Sequence, residues 1–372
     1  MKLILGVDSI VPPLTGIGRY TWELAGHYET LRGDLDSLRF FFAGRWIERR
    51  EDLVGDRTSS AFKKRRASRL RMPTRWRNWS LTRDLRGHLF HSPNYFLPEQ
   101  VEAGISTVHD LSVFKYPETH PVARVRHFEE KFAATLKRSV HLITDSEATR
   151  KEVIDYFNWH PDRITAIPLG APPEFYPRSS GEESTELAIR GLAYGEYALC
   201  VSTLEPRKRI DLLIAAYQAL PAPLRARYPL ILAGSSGWLS DAIQEQIRRG
   251  EQEGWLKYLG FVSDTFLPIL YAGARAFIFP STYEGFGLPV LEAMASGVPT
   301  LVANCSSLPE VAAGAAWLAE PGSLDSLREG ILHVLGDEEW RMSAIKRGLD
   351  VASRATWAKC AESTLQLCRR FA

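Results

Sequence analysis

The chain has 372 residues, is 45% hydrophobic and 24% charged, and carries a formal net charge of +2. That is an ordinary globular composition, and the length favours two domains over one core. No run approaches the roughly eighteen apolar residues of a membrane span, and the opening MKLILGVDSI is too short for a signal peptide. The four cysteines form no Cys-x-x-Cys pair and do not cluster with histidines, so a cytosolic protein with reduced thiols is expected, with neither zinc nor disulfides.

Apolar strand patterns alternate with helical ones along the whole chain. In the first half strands are predicted at 2–7, 38–43, 89–91, 105–109, 142–145 and 164–168, and helices at 18–31, 124–139 and 146–157. The stretch 172–186, rich in Pro, Ser, Gly and Glu, reads as a linker. A second series of strands follows at 198–202, 230–234, 256–259, 276–279 and 300–303, and an amphipathic helix spans 356–370. Such alternation predicts an α/β protein with parallel sheets covered by helices on both faces. The expected organisation is a first doubly wound domain over 1–178, a linker over 179–196 and a second over 197–355. The two face a central cleft, and the tail 356–372 packs back on the first.

The charge is uneven. Residues 1–178 hold 28 Lys/Arg against 22 Asp/Glu, whereas 179–372 hold 18 against 22. The excess gathers in 62–87, with ten Lys/Arg, the single acid Asp84, and Trp76 and Trp79 among them. Charge runs are commonly solvated faces, yet cations interleaved with tryptophan also suit docking on anionic lipid. No recognised nucleic-acid module accompanies the run.

Candidate site residues appear where strands give way to helices. Gly16 and Gly18 lie in the link after the first strand, where glycines let a backbone come close to a phosphate or sugar. This link is not a dinucleotide fingerprint, because Thr21 stands in place of the third glycine. Asp34 and Asp36 form an Asp-x-Asp, but they precede a strand, the wrong end for a ligand, and read as a surface turn. His109, followed by Asp110, ends a strand on the side turned to the cleft. After the first strand of the second series comes LEPRKRID, in which Arg207 offers a fork of donors and Lys208 a compact charge to a diphosphate.

The most informative segment is 284–297, EGFGLPVLEAMASG. Pro289 suits the first helical turn, which leaves the N–H groups of Gly285, Phe286, Gly287 and Leu288 free beside the positive end of a helix. Glu284 in the loop and Glu292 in the helix can each accept two hydrogen bonds from a sugar diol.

These residues together resemble the retaining GT-B glycosyltransferases of the glycosyl transferases group 1 family, also called family 4. The resemblance runs through Gly16–Gly18, His109-Asp110-Leu111, Ile167-Pro168-Leu169-Gly170, Glu205-Pro206-Arg207-Lys208, the Glu284/Glu292 pair and Ser307-Leu308-Pro309-Glu310. It implies two Rossmann-like domains and transfer of a hexose, mannose or rhamnose, from a nucleotide-diphospho-sugar that is GDP-linked. The acceptor would be a lipid-linked or polysaccharide glycan of O-antigen or lipopolysaccharide synthesis, handled in the cytoplasm or at the inner membrane surface. It further implies Glu292 on the ribose, Glu284 on the donor sugar, Gly285–Leu288 amides on sugar and phosphate, Arg207 and Lys208 on the diphosphate, and His109 near the reacting carbon. No metal or other cofactor is implied. One departure is Thr203, where many members carry an Arg ahead of the Lys. A GT-B epimerase and a catalytically silent nucleotide-sugar-binding subunit are the alternative expectations.

Overall fold

The computed structural model describes residues 1–14, 16–54, 82–237 and 241–372. Most of the basic stretch 62–87, including Trp76 and Trp79, therefore lies outside the described residues.

Two sheets organise the chain. The first holds β1 (Lys2–Gly6), β2 (Ser37–Phe42), β3 (Arg45–Ile47), β4 (Leu89–Ser92), β5 (Gly104–Val108), β6 (Ser139–Thr144) and β7 (Ile164–Ala166), in the order β3-β2-β1-β4-β5-β6-β7. Its strands run parallel except β3, which folds back on β2. The second holds β8 (Ala198–Val201), β9 (Leu230–Ala233), β10 (Leu256–Tyr258), β11 (Ala276–Phe279), β12 (Thr300–Ala303) and β13 (Trp317–Ala319), in the order β10-β9-β8-β11-β12-β13. Strands such as AFIF in β11 are buried throughout, as continuous apolar runs must be when helices cover both faces.

The helices that position the site are α1 (Gly16–Thr30), α2 (Val122–Arg138), α3 (Glu147–Phe157), α4 (Ser180–Ile189), α5 (Ile210–Gln218), α6 (Asp241–Gln252), α7 (Leu267–Ala272), α8 (Leu288–Ala295), α9 (Leu308–Ala312), α10 (Leu324–Gly336), α11 (Glu338–Arg354) and α12 (Trp357–Arg369). Each sheet reverses its strand order once, at β1/β4 and at β8/β11. The loop after β11 meets the first domain at Leu111, Ser146 and Thr149, beside the switch points where open α/β sheets bind ligands. This is the GT-B architecture.

The chain crosses between the sheets twice, once after β7 and again after α11. The two crossings touch: Ala171 bridges to Thr356, and its amide donates to the Ala355 carbonyl at 3.0 Å. α12 then packs on α1, with the buried Trp357 ring 6.2 Å from Tyr20.

The structure corrects the linker expectation for 172–186, whose second half begins α4. Leu187 is fully buried there, beside Gly273 at the end of α7, so packing decides the helix where composition suggests coil. The edge strands β3 and β13 are not expected from the sequence, although the equally short edge strands β7 and β10 are. Asp36 lies in a turn, and its exposed carboxylate takes the N-terminal ammonium at 2.6 Å.

Candidate active site

The loop between β11 and α8 is fixed through its carbonyls. Ser307 Oγ donates to the carbonyls of Glu284 (2.9 Å) and Phe286 (2.7 Å). The Gly285 carbonyl faces the first domain, within 2.7 Å of Ser146 Oγ and 3.1 Å of Thr149 Oγ1. The Gly287 carbonyl takes the first helical amide of α8, from Val290. By contrast, the amides of Gly285, Phe286, Gly287 and Leu288 have no hydrogen-bond partner among the described residues. Two glycines make this possible. Gly287 has φ +110°, which side-chain-bearing residues rarely adopt, and a Cβ on Gly285 would stand 1.7 Å from the His109 carbonyl oxygen.

Charges gather beside this loop. Arg207 donates to the Tyr283 carbonyl at 3.0 Å, to Glu205 at 3.1 Å and to Glu284 at 3.3 Å. Lys208 donates to the other oxygen of Glu284. Glu205 is steadied in turn by the Thr203 hydroxyl at 2.8 Å. Burial alone would raise the Glu284 carboxyl, but Lys208 and Arg207 outweigh it and hold the group below its ordinary value. Burial lowers Lys208 despite its anionic partner. Glu284 and the two cations are thus tied to each other, and Glu284 stands where an anionic ligand would meet them. Asp110, across the cleft, is also held low: burial opposes ionisation there, and Arg207 and Ser112 overcome it.

Glu292 differs from Glu284. It is buried on α8, and burial raises its carboxyl above the ordinary value, opposed by the charge of Arg19 on α1 and by Tyr271. Arg19 itself reaches over to Asp264 at 2.8 Å. Gly16 opens α1 with free space around it, whereas Gly18 is packed so tightly that a Cβ would come within 2.8 Å of the Ser9 carbonyl. The sequence pattern points to the two glycines but gives no sign that Arg19, next to Gly18, crosses the cleft to Asp264.

Both ring nitrogens of His109 are engaged inside the first domain. Nε2 lies 2.7 Å from the Pro93 carbonyl, and Nδ1 lies 2.7 Å from Asp145 Oδ2. A carbonyl only accepts, so Nε2 carries hydrogen, and the second bond shares a proton with the carboxylate. Burial would push His109 down, yet Asp145 carries it above its ordinary value, while burial raises Asp145. In this arrangement His109 presents its backbone carbonyl to Gly285, and neither ring nitrogen is free for a ligand.

A cavity of about 430 Å³ opens at the β1/β4 reversal. Asp8, Ser9, Asn94 and Gln100 line it together with Phe41 and Phe96, a mixture of hydroxyl-binding groups and aromatic faces.

Two facing doubly wound domains, with free amides, paired cations and a buried carboxylate at one switch point and a polar cavity at the other, define a glycosyltransferase. The chain belongs to glycosyltransferase family 4: residues 14–175 match the family model for Glycosyltransferase Family 4, and residues 193–350 match that for Glycosyl transferases group 1. It is 40% identical to O-antigen chain mannosyltransferase B of Escherichia coli over 98% of each chain. Among solved structures it resembles HepE of Anabaena in complex with UDP-glucose, with a TM-score of 0.74 at 18% identity and full coverage of both chains. Sucrose-phosphate synthase of Thermosynechococcus elongatus gives a TM-score of 0.74 at 19% identity, covering 100% of this chain and 99% of that one. At these identities the likeness concerns the fold.

Proposed function

We propose that this enzyme is a retaining mannosyltransferase that moves mannose from GDP-mannose to a growing, lipid-linked O-antigen glycan at the cytoplasmic membrane surface. The observation that carries the reading is the convergence of Glu292, the four free amides of the loop and the Arg207/Lys208 pair beside one switch point. Similarity to an O-antigen chain mannosyltransferase over the whole chain favours mannose as the sugar.

In this reading Glu292 accepts the ribose hydroxyls, and the amides of Gly285–Leu288 meet the donor sugar and diphosphate. Arg207 and Lys208 exchange part of their bonding to Glu284 for the diphosphate oxygens. As the bond from C1 to the phosphate oxygen breaks, fixed cations and the start of α8 stabilise the departing charge. The acceptor sugar sits in the cavity lined by Asp8, Asn94 and Gln100. Its hydroxyl oxygen forms the new bond to C1 on the face that the phosphate leaves, and its proton passes to a phosphate oxygen of the leaving GDP. Glu284, whose two oxygens pair with Arg207 and Lys208, holds these cations in place until the diphosphate takes over part of that bonding. His109, locked by Asp145, supports the loop from the opposite domain.

Incubation with a panel of GDP-, UDP- and dTDP-sugars, with and without mannan-type acceptor, tests this. GDP release that depends on acceptor, an α-linked mannosyl product and turnover unchanged by EDTA are expected. Acceptor-independent conversion would instead mark an epimerase, and no conversion of any donor a silent binding subunit.

A further inference from the structure

Among the described residues, the peptide joining Gly285 to Phe286 is the one unit of the donor loop whose carbonyl is held by the opposite domain. A trans peptide is planar, so its C=O and N–H point in opposite directions. Ser307 orients the neighbouring peptides from within the second domain. The Phe286 amide is instead aimed by Ser146 and Thr149, at the start of α3 in the first domain.

The start of α3 is itself gripped by the second domain. Glu310 of α9 accepts the Glu147 amide at 2.8 Å and the Ala148 amide at 3.0 Å, one with each carboxylate oxygen. These are two of the amides that a helix start leaves without intrahelical partners, and a carboxylate there is favoured by the helix dipole. A third contact follows on the next turn: the Tyr283 hydroxyl accepts the Leu111 amide at 2.9 Å and donates to Glu152 at 2.6 Å. Glu310 lies three residues beyond Ser307, so the grip and the loop share one support.

We propose that Glu310, Ser146 and Thr149 are positioning residues that make the donor loop dependent on domain closure. When the domains close, Glu310 clamps α3, the two hydroxyls capture the Gly285 carbonyl, and the Phe286 amide turns toward the donor. When they open, that peptide loses its lock while Glu292, Arg207 and Lys208 stay in place. Closure thereby supplies a hydrogen-bond donor to the reaction as well as excluding water. The inference rests on this loop being the donor's, whichever nucleotide-sugar that is.

The test uses full-length Glu310→Gln, Glu310→Ala and Thr149→Val, with Ser146→Thr as a variant that keeps its hydroxyl. Small-angle scattering without any sugar reports closure, thermal melting reports folding, and steady-state kinetics with the donor that wild type consumes reports turnover. Expected are folded proteins, a larger radius of gyration for both Glu310 variants, and kcat about 10- to 100-fold lower for these and for Thr149→Val. Donor affinity by calorimetry should change less than about threefold, and Ser146→Thr should keep most activity. Wild-type scattering and kcat in folded Glu310→Ala would overturn the proposal, as would a loss of thermal stability with no loss of turnover. Should wild type consume no sugar nucleotide, the functional reading fails, and the scattering comparison alone decides whether Glu310 holds the domains.

Discussion

Glu284 and Glu292 lie eight residues apart, and their surroundings push them in opposite directions. Glu284 is kept ionised by Lys208 and Arg207, whereas burial raises Glu292 more than Arg19 and Tyr271 can offset. A raised carboxyl means that the folded state holds its proton to higher pH than the unfolded chain. The stability contributed by protonated Glu292 is therefore complete below the ordinary value of 4.5 and disappears as pH rises through the raised one. Glu292→Gln should then melt at a higher temperature than wild type near pH 7.5, with the difference vanishing at low pH. The same variant should bind donor about 10- to 100-fold more weakly, since hydrogen bonds to a charged group contribute roughly 1.5–3 kcal/mol. Stabilisation together with lost binding, read by melting curves and calorimetry, is the expected signature of a functional acid. The spacing of the two acids was legible in the sequence because a local motif carries it. Their electrostatics were not, because Arg19 and Lys208 reach them from distant positions in the chain.

At the scale of elements, the donor loop depends on close backbone approach. Gly285→Ala places a Cβ 1.7 Å from the His109 carbonyl, and no side chain can yield to relieve it, so loop or domain must shift. A displacement of about 1 Å here should lower kcat/KM about 100-fold or more, measured on protein whose far-ultraviolet spectrum and melting remain close to wild type. Strands such as β11 and β12 are legible from their apolar runs and flanking turn residues, with bounds matching the expectation at 276–279 and 300–303. The helix α4 is hidden because its Ser/Gly/Glu-rich sequence carries little apolar surface, and its place is set by Leu187 docking on the second domain. The edge strands β3 and β13 pair with β2 and β12, and that pairing comes from neighbours already in place. The clamp of Glu310 on α3 joins two helices at residues 163 apart in sequence, a pairing that local pattern cannot reveal.

For the whole molecule, the decisive feature is the return crossing. Trp357 follows it directly and buries its indole near Tyr20, whose ring stacks edge-on against His109 at 5.1 Å. Trp357→Ala should cost about 3–5 kcal/mol of stability, as large aromatic truncations do, and should lower turnover through loosened support of His109. Denaturant titration and activity at matched folded fraction check the two effects separately. The touching crossings at Ala171 and Thr356 also bear on how the protein is made. The sheet of the first domain is encoded by residues up to Ala166, but the helix that covers α1 is α12, which follows the entire second sheet in sequence. Residues 180–354 contain a whole sheet with its helices and can condense while α12 is still inside the ribosome. The part synthesised first is thus the part completed last. Until α12 emerges, Tyr20 and Tyr28 lack that cover, so the nascent first domain waits for a helix encoded beyond the whole second sheet before its core can close.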